Sequence, residues 1–165
     1  MDYRIDEDTV IRFAKEGETG TIIKFIRDLA EYEGMLDKVT ATEEIIHKTI
    51  FVEKKAEVLF CEYKNEPIGF ALFFSNFSTF LGKAGIYLED LFVVPEMRGR
   101  NFGKYLLTAL GKIAVDRDCG RLEWSCLNWN KKSIDFYLGM GAVPMSDWTV
   151  YRITDRKLKE LSENL

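Results

Sequence analysis

The chain has 165 residues, 47% of them hydrophobic and 13% aromatic, enough apolar material for one ordinary domain with a substantial core. Its formal net charge is −4, with 23 basic residues dispersed among 27 acidic ones, a pattern that argues against nucleic acid or an anionic membrane as a general partner. The N-terminal stretch has no charged leader followed by an apolar signal core, and apolar runs such as 68–74 are far too short to span a bilayer, so a cytoplasmic protein is expected. Cys61, Cys119 and Cys126 are odd in number and lack metal-like spacing, which favours buried or free thiols over a disulfide framework. The lone His47 has no second ligand at metal spacing, and no metal is expected.

Residues 10–14 read as a short first strand. Ile22, Phe25, Ile26, Leu29 and Ala30 then recur at helical spacing, with Gly34 as a stop. Thr40 with Glu43 three residues later resembles a capping box and predicts a second helix over 41–51. The period then shortens to that of strands. Runs 58–63 and 68–74 are β-rich and separated by Lys64-Asn65-Glu66-Pro67, which predicts an antiparallel hairpin. A further strand over 86–94 is ended by Pro95. Leu106, Leu107, Leu110, Ile113 and Ala114 predict a helix over 104–118 closed by Gly120. A strand over 122–127, a helix over 132–140 stopped by Gly141, a last strand over 148–153 and a polar tail complete the series. The class is α/β (α+β), a mixed sheet flanked by helices, in one domain spanning 1–165.

The most informative stretch is Glu89-Asp90-Leu91-Phe92-Val93-Val94-Pro95-Glu96-Met97-Arg98-Gly99-Arg100-Asn101-Phe102-Gly103-Lys104, where an apolar strand runs into a basic, glycine-bearing turn that opens a helix. Backbone N–H groups at a helix start have no intrahelical partner, and the helix dipole adds positive potential there, so a pyrophosphate can be held largely by main chain. Gly99 and Gly103 permit close approach, and Arg98, Arg100 and Lys104 add charge.

This turn resembles the acetyl-CoA loop of the Gcn5-related N-acetyltransferases (GNAT), whose pattern is Gln/Arg-x-x-Gly-x-Gly/Ala. Arg98, Asn101 and Gly103 occupy the patterned positions, with Asn101 departing from the usual glycine. Asn is among the few residues that enter left-handed backbone cheaply. The resemblance extends from about Val10 to Ile153. Ile86-Tyr87-Leu88-Glu89-Asp90 and Trp129-Asn130-Lys131-Lys132-Ser133-Ile134-Asp135-Phe136-Tyr137 are similar to the diamine-acetyltransferase branch, which includes spermidine/spermine N1-acetyltransferase and its thialysine-acetylating relatives. It implies a mostly antiparallel sheet splayed at the cofactor, a homodimer, acetyl-CoA as co-substrate, and a small amine as acceptor.

Acetyl transfer from a thioester to an amine needs a neutral amine, a stabilised oxyanion and an acid for the departing thiolate. An alkylamine of pKa ~10 is mostly protonated at neutral pH, so a base is required. The resemblance assigns Glu89 as that base, directly or through water, with Asp90 second; on a regular strand only one of the pair faces the substrate unless a bulge intervenes. It assigns Tyr137 as the acid at the CoA sulfur, against the alternative of an aromatic core contact with Phe136. Cofactor contacts are implied at Leu91, Phe92 and Val93, whose backbone N–H groups serve the oxyanion, at Arg98 through Lys104 (Gly99, Arg100, Asn101, Phe102 and Gly103 between them), and at Asn130, Ser133 and Tyr137. Asn130 can also cap its helix.

Tyr32-Glu33 matches a pair the diamine branch uses near its acceptor, with Glu33 for a cationic amine and Tyr32 as a wall; a solvated helix end is the alternative. Ser78-Thr79-Phe80 stands where polyamine-preferring relatives carry Asp-Pro-Trp. This favours shorter acceptors such as thialysine, ornithine or lysine-like compounds, whose carboxylate Arg121 or Lys83 could meet. The competing readings are a non-catalytic acyl-CoA-binding module, for which Asn101 is the argument, and a protein or peptide N-acetyltransferase.

Overall fold

The computed structural model describes residues 2–164, and the chain falls into two compact units, 1–125 and 126–165. The first is built on a six-stranded sheet in chain order: β1 (Asp2–Arg4), β2 (Thr9–Phe13), β3 (Glu57–Tyr63), β4 (Glu66–Ser78), β5 (Lys83–Val93) and β6 (Leu122–Trp124). Neighbours are antiparallel except β5 and β6. That parallel pair requires a crossover, which α3 (Phe102–Asp116) supplies. The expected mixed, mostly antiparallel sheet with flanking helices is the observed one.

Alternation along the strands sorts the core into two layers. Val58, Phe60, Phe70 and Phe92 meet Ile22 and Phe25 of α1 (Thr19–Tyr32) and Ile50 of the second helical segment. Phe25 stacks on Phe70 at 5.5 Å and approaches Phe60 and Phe92 at 5.9 and 6.2 Å. Offset aromatic packing of this kind adds about 0.5–1.5 kcal/mol per pair beyond area burial. Residues of the opposite parity, Leu59, Cys61, Ala71 and Phe73, are buried on the other side, where α3 contributes Leu106, Leu110 and Ile113. Arg12 of β2 fastens the entry to α1: its guanidinium donates to Glu18 at 2.6 Å and to Glu62 of β3 at 2.5 Å.

The feature that shapes the site is a bulge in β5. Phe70 pairs with Phe92 and Leu72 with Asp90, but Phe73 pairs with Leu88, so Glu89 is an extra residue in the strand. An uninterrupted strand would put Leu88, Asp90 and Phe92 on one face. The bulge shifts the phase, so Leu88 belongs with the α3 layer while Asp90 and Phe92 turn toward α1.

Several sequence expectations are corrected in detail. The strand expected at 10–14 is second in the sheet, because 2–4 pair along its outer edge. The second helix begins later than the Thr40 capping box implied: Thr42 accepts from the Ile45 N–H at 3.3 Å, α2 covers Glu43–Ile46, and a π-helical segment follows over His47–Val52. The hairpin is as expected, but its turn is Lys64-Asn65 alone, both at positive φ, and Glu66-Pro67 already belong to β4. β6 ends at Trp124 rather than 127, since its ladder with β5 stops at Leu88.

The second unit contains α4 (Lys131–Gly139) and α5 (Asp155–Ser162). α4 ends as expected, with Gly141 at φ +87°. Residues 148–153 form no strand among the described residues, despite their β-prone composition, because no ladder partner meets them; Trp148 and Tyr151 are 72% and 91% exposed. The polar tail holds a helix instead. Leu158 and Leu161 share a face and Arg156 pairs with Glu160 at 3.1 Å, an i,i+4 contact that suits an amphipathic surface helix.

Candidate active site

β5 hands over to α3 through a short 3₁₀ turn at Pro95–Met97, closed by the Arg98 N–H on the Pro95 carbonyl at 3.2 Å. Gly99 then takes φ +77° and Asn101 φ +67°, and Asn101 caps α3 with backbone alone, its carbonyl accepting from Tyr105 N–H at 2.9 Å. Asn101 therefore reproduces the left-handed conformation for which glycine is the usual choice, and its departure from the pattern leaves the loop shape intact. A Cβ at Gly99 or Gly103 would meet nothing within 4 Å, so both face open space. The N–H groups of Phe102, Gly103 and Lys104 are the helix's orphan donors. The cradle fits a pyrophosphate held by main chain.

Not every residue of the loop can offer its side chain. Phe102 is buried against Tyr63 at 5.6 Å, and Phe92 and Val93 are also buried, so these positions have only backbone to give. Arg98 and Arg100 are already engaged with aromatic rings. Arg98 lies over Tyr32 at 4.5 Å and Phe92 at 5.3 Å; Arg100 lies over Tyr63 at 4.6 Å and Phe102 at 5.2 Å. Tyr63 was passed over by sequence reasoning, and Phe92, expected there for its backbone N–H, also gives its ring to Arg98.

Past Leu88 the strand β5 has no β6 partner, while Leu91, Phe92 and Val93 still pair with Ala71, Phe70 and Gly69 of β4. Gly69 permits that pairing at close quarters, since a Cβ there would lie 2.5 Å from the Phe92 carbonyl oxygen. This is the one-sided opening expected beside a splayed cofactor slot.

The carboxylates gather here. Glu33 caps the C-terminal end of α1, before Gly34 at φ +71°. Burial, then the charges of Glu89 and Glu33, push the Asp90 carboxyl up to about 6, and burial raises Glu33 as well. The bulge proviso attached to Glu89 and Asp90 is met: Glu89 is exposed, and Asp90 is half-buried within electrostatic reach of Glu33. A cleft between α1 and the end of β5 is lined by Tyr32, Phe92, Pro95 and Arg98 among others, and none of these three carboxylates lines it. Lys83 and Arg121 are not part of this cluster. Lys83 pairs with Asp118 at 2.6 Å and Arg121 with Glu123 at 2.7 Å. Along β5 the Lys83 end lies roughly 20 Å from Glu89 at about 3.3 Å per residue. Ser78 accepts from the Leu81 N–H at 3.3 Å and serves the turn.

In the second unit the Asn130 side chain is buried and accepts from Ser133 N–H at 3.3 Å, capping α4 as expected. Ser133 and Tyr137 follow one turn apart on the same face, Tyr137 half-buried with its ring 5.3 Å from Phe136. Among the described residues no group of three His, Cys, Asp or Glu side chains could hold a metal ion.

A mostly antiparallel open sheet whose fifth strand feeds a left-handed, basic turn at a helix start is the framework of a protein suited to hold an anionic, phosphate-bearing ligand. Residues 23–142 match the Acetyltransferase (GNAT) family, and the chain belongs to that family. It is an acetyltransferase by that membership, and acetyl-CoA is the family's co-substrate. The thialysine N-epsilon-acetyltransferase of Bos taurus is 35% identical over 167 residues, covering 93% of this chain and 96% of that protein. The L-ornithine N5-acetyltransferase NATA1 of Arabidopsis thaliana is 43% identical over 95 residues, 58% of this chain and 42% of its own. Among solved structures, an integron cassette protein from V. cholerae superposes with a TM-score of 0.81 at 23% identity, over 96% of this chain and all of its own.

Proposed function

We propose that this chain acetylates a primary amine of a small diamine or amino-acid-like compound, of the thialysine, ornithine or lysine kind, by direct attack of the amine with both substrates bound. The observation that carries this reading is the group of Glu33, Glu89 and Asp90 beside the end of β5, with Asp90 raised to about 6. A half-buried carboxyl raised by burial and by two neighbouring carboxylates is relieved by a cation, and an alkylammonium is such a cation. The named activities of the thialysine and ornithine relatives point to the same substrate class.

Acetyl-CoA supplies the acyl group. Backbone N–H groups of the Gly99–Lys104 turn hold its pyrophosphate, and Asn130 and Ser133 hold its arm. Asp90 and Glu33 hold the acceptor ammonium. Glu89, exposed on the bulge, accepts a proton from it through water and releases that proton to solvent. N–H groups of Leu91 and Val93, on the side of β5 away from β4, steady the carbonyl oxygen as charge grows there, and Tyr137 gives a proton to the departing sulfur.

A panel of thialysine, ornithine, lysine, putrescine, spermidine and an N-terminal peptide, read by acetyl-CoA consumption and product mass with enzyme-only blanks, tests this. Monoacetylated short amino acid or diamine is the expected product; turnover confined to the peptide would overturn the reading.

We read the chain as one functional domain over 1–165, since the family match crosses from the first unit into the second. We place it in the cytoplasm; among the described residues no helix is long and apolar enough to cross a membrane. We also read it as a homodimer. The support is the exposed, β-prone Trp148, Val150 and Tyr151, the composition of an interface core. Light scattering is expected to give twice the chain mass, and a monomer mass at micromolar concentration would remove this part of the reading.

A further inference from the structure

Arg98 is fastened at several points by the protein itself. Its Nε–H donates to the Val93 carbonyl at 2.8 Å, and its guanidinium lies over Tyr32 and Phe92. Val93 is the last residue of β5, Phe92 belongs to the core cluster beneath α1, and Tyr32 is the last residue of α1. The arginine thus joins the end of the central strand, the phosphate turn and the helix that carries Glu33. A lysine could match the charge but not the flat stack or the directed Nε–H bond.

We propose that Tyr32 is a positioning residue for acetyl-CoA: by stacking on Arg98 it holds the 98–101 turn in the left-handed form that presents its N–H groups, and it couples that turn to the acceptor-side carboxylates through α1. The proposal rests on reading this turn as the acetyl-CoA loop. It also reassigns Tyr32, which the sequence offered only as a wall for the acceptor.

Arg98 is exposed, so without the ring its side chain has water and other rotamers to choose from, and a turn with two positive-φ residues samples forms that no longer converge on a phosphate. Apparent affinity then falls by the fraction of molecules holding the competent turn. The coupling is reciprocal. Whatever fills the turn favours the stacked state and steadies the end of α1, one residue from Glu33.

The test is a double-mutant cycle on CoA affinity by titration calorimetry, with CoA itself as the probe and the full chain throughout. Tyr32→Leu is expected to weaken CoA about two- to fivefold, the range for an exposed cation–π pair. Tyr32→Phe keeps the ring and is expected to stay close to wild type. In an Arg98→Ala background, itself weakened, Tyr32→Leu is expected to add no further loss. In steady state Tyr32→Leu should raise the KM for acetyl-CoA with kcat little changed. Unchanged CoA affinity in Tyr32→Leu, or an equal loss with and without Arg98, overturns the proposal. A simple wall would raise the acceptor KM alone, which also overturns it. Absence of CoA binding in the wild-type chain would instead overturn the acetyl-CoA reading of the turn.

Discussion

Replacing Glu89 by Gln lowers kcat on the order of a hundredfold or more across the acceptor panel, while Asp90→Asn acts mainly on acceptor binding and only above about pH 6. The two carboxylates are adjacent in sequence but the bulge gives them different surroundings. Glu89 is exposed and can exchange protons with solvent; Asp90 is half-buried and faces the charges of Glu89 and Glu33. Below about pH 6 Asp90 is protonated in the free enzyme and offers no charge to the amine. As pH rises through that value it ionises, so acceptor kcat/KM climbs with a midpoint near 6 in the wild type, and this step is absent in Asp90→Asn.

Stability moves the opposite way. The folded carboxyl holds its proton up to about 6 while the unfolded one releases it near 3.8, so the folded state binds more protons in between and stability falls as pH rises through that window. Asp90→Asn removes that cost, about 3 kcal/mol, and its Tm at pH 7.5 is expected to rise while acceptor kcat/KM falls. A pH profile for Asp90→Asn that keeps the step near 6, or a lowered Tm, would assign the titration to another group. Turnover of Glu89→Gln equal to wild type would end its role as base.

Tyr137→Phe should reduce turnover by a factor on the order of a hundred while leaving CoA affinity within about twofold. A phenol of pKa near ~10 is matched to a thiol leaving group, and removing one oxygen deletes the proton without disturbing the ring contact with Phe136. Pre-steady-state and steady-state turnover with acetyl-CoA, set beside calorimetric CoA affinity, separates the two effects. An unchanged kcat would leave Tyr137 as a packing residue of α4, the reading its half-buried neighbour Phe136 also allows.

The site was legible in the chain to the extent that it is local. The 98–104 turn, the Asn130 cap and the stop at Gly34 each depend on a few consecutive residues whose backbone preferences are strong, and all three stand where the sequence put them. Asn101 shows the same logic at a deviation: its tolerance of positive φ preserves the loop's backbone shape. Strand limits were less legible because a strand exists only where a neighbour meets it. Residues 148–153 have the composition of a strand but no ladder among the described residues, whereas 2–4, unremarkable in composition, pair with β2. The helix over 155–162 was hidden by its polarity, which is what a surface helix stabilised by ion pairs looks like in one dimension.

The sequence by itself determined the family, the order of the main elements and the identity of the residues that can carry charge or protons. Periodicity, glycine positions and the basic turn are all short-range properties. Tertiary structure alone decided how those residues act. The bulge at Glu89 becomes visible only against the register of β4, and it is this register that sends Asp90 toward Glu33 and raises its pKa. The pairing of Tyr32 with Arg98 joins positions 66 residues apart in the chain and follows from α1 lying over Phe92. Burial, electrostatic coupling and stacking all depend on distances between segments remote in sequence, and packing around the sheet is what sets those distances.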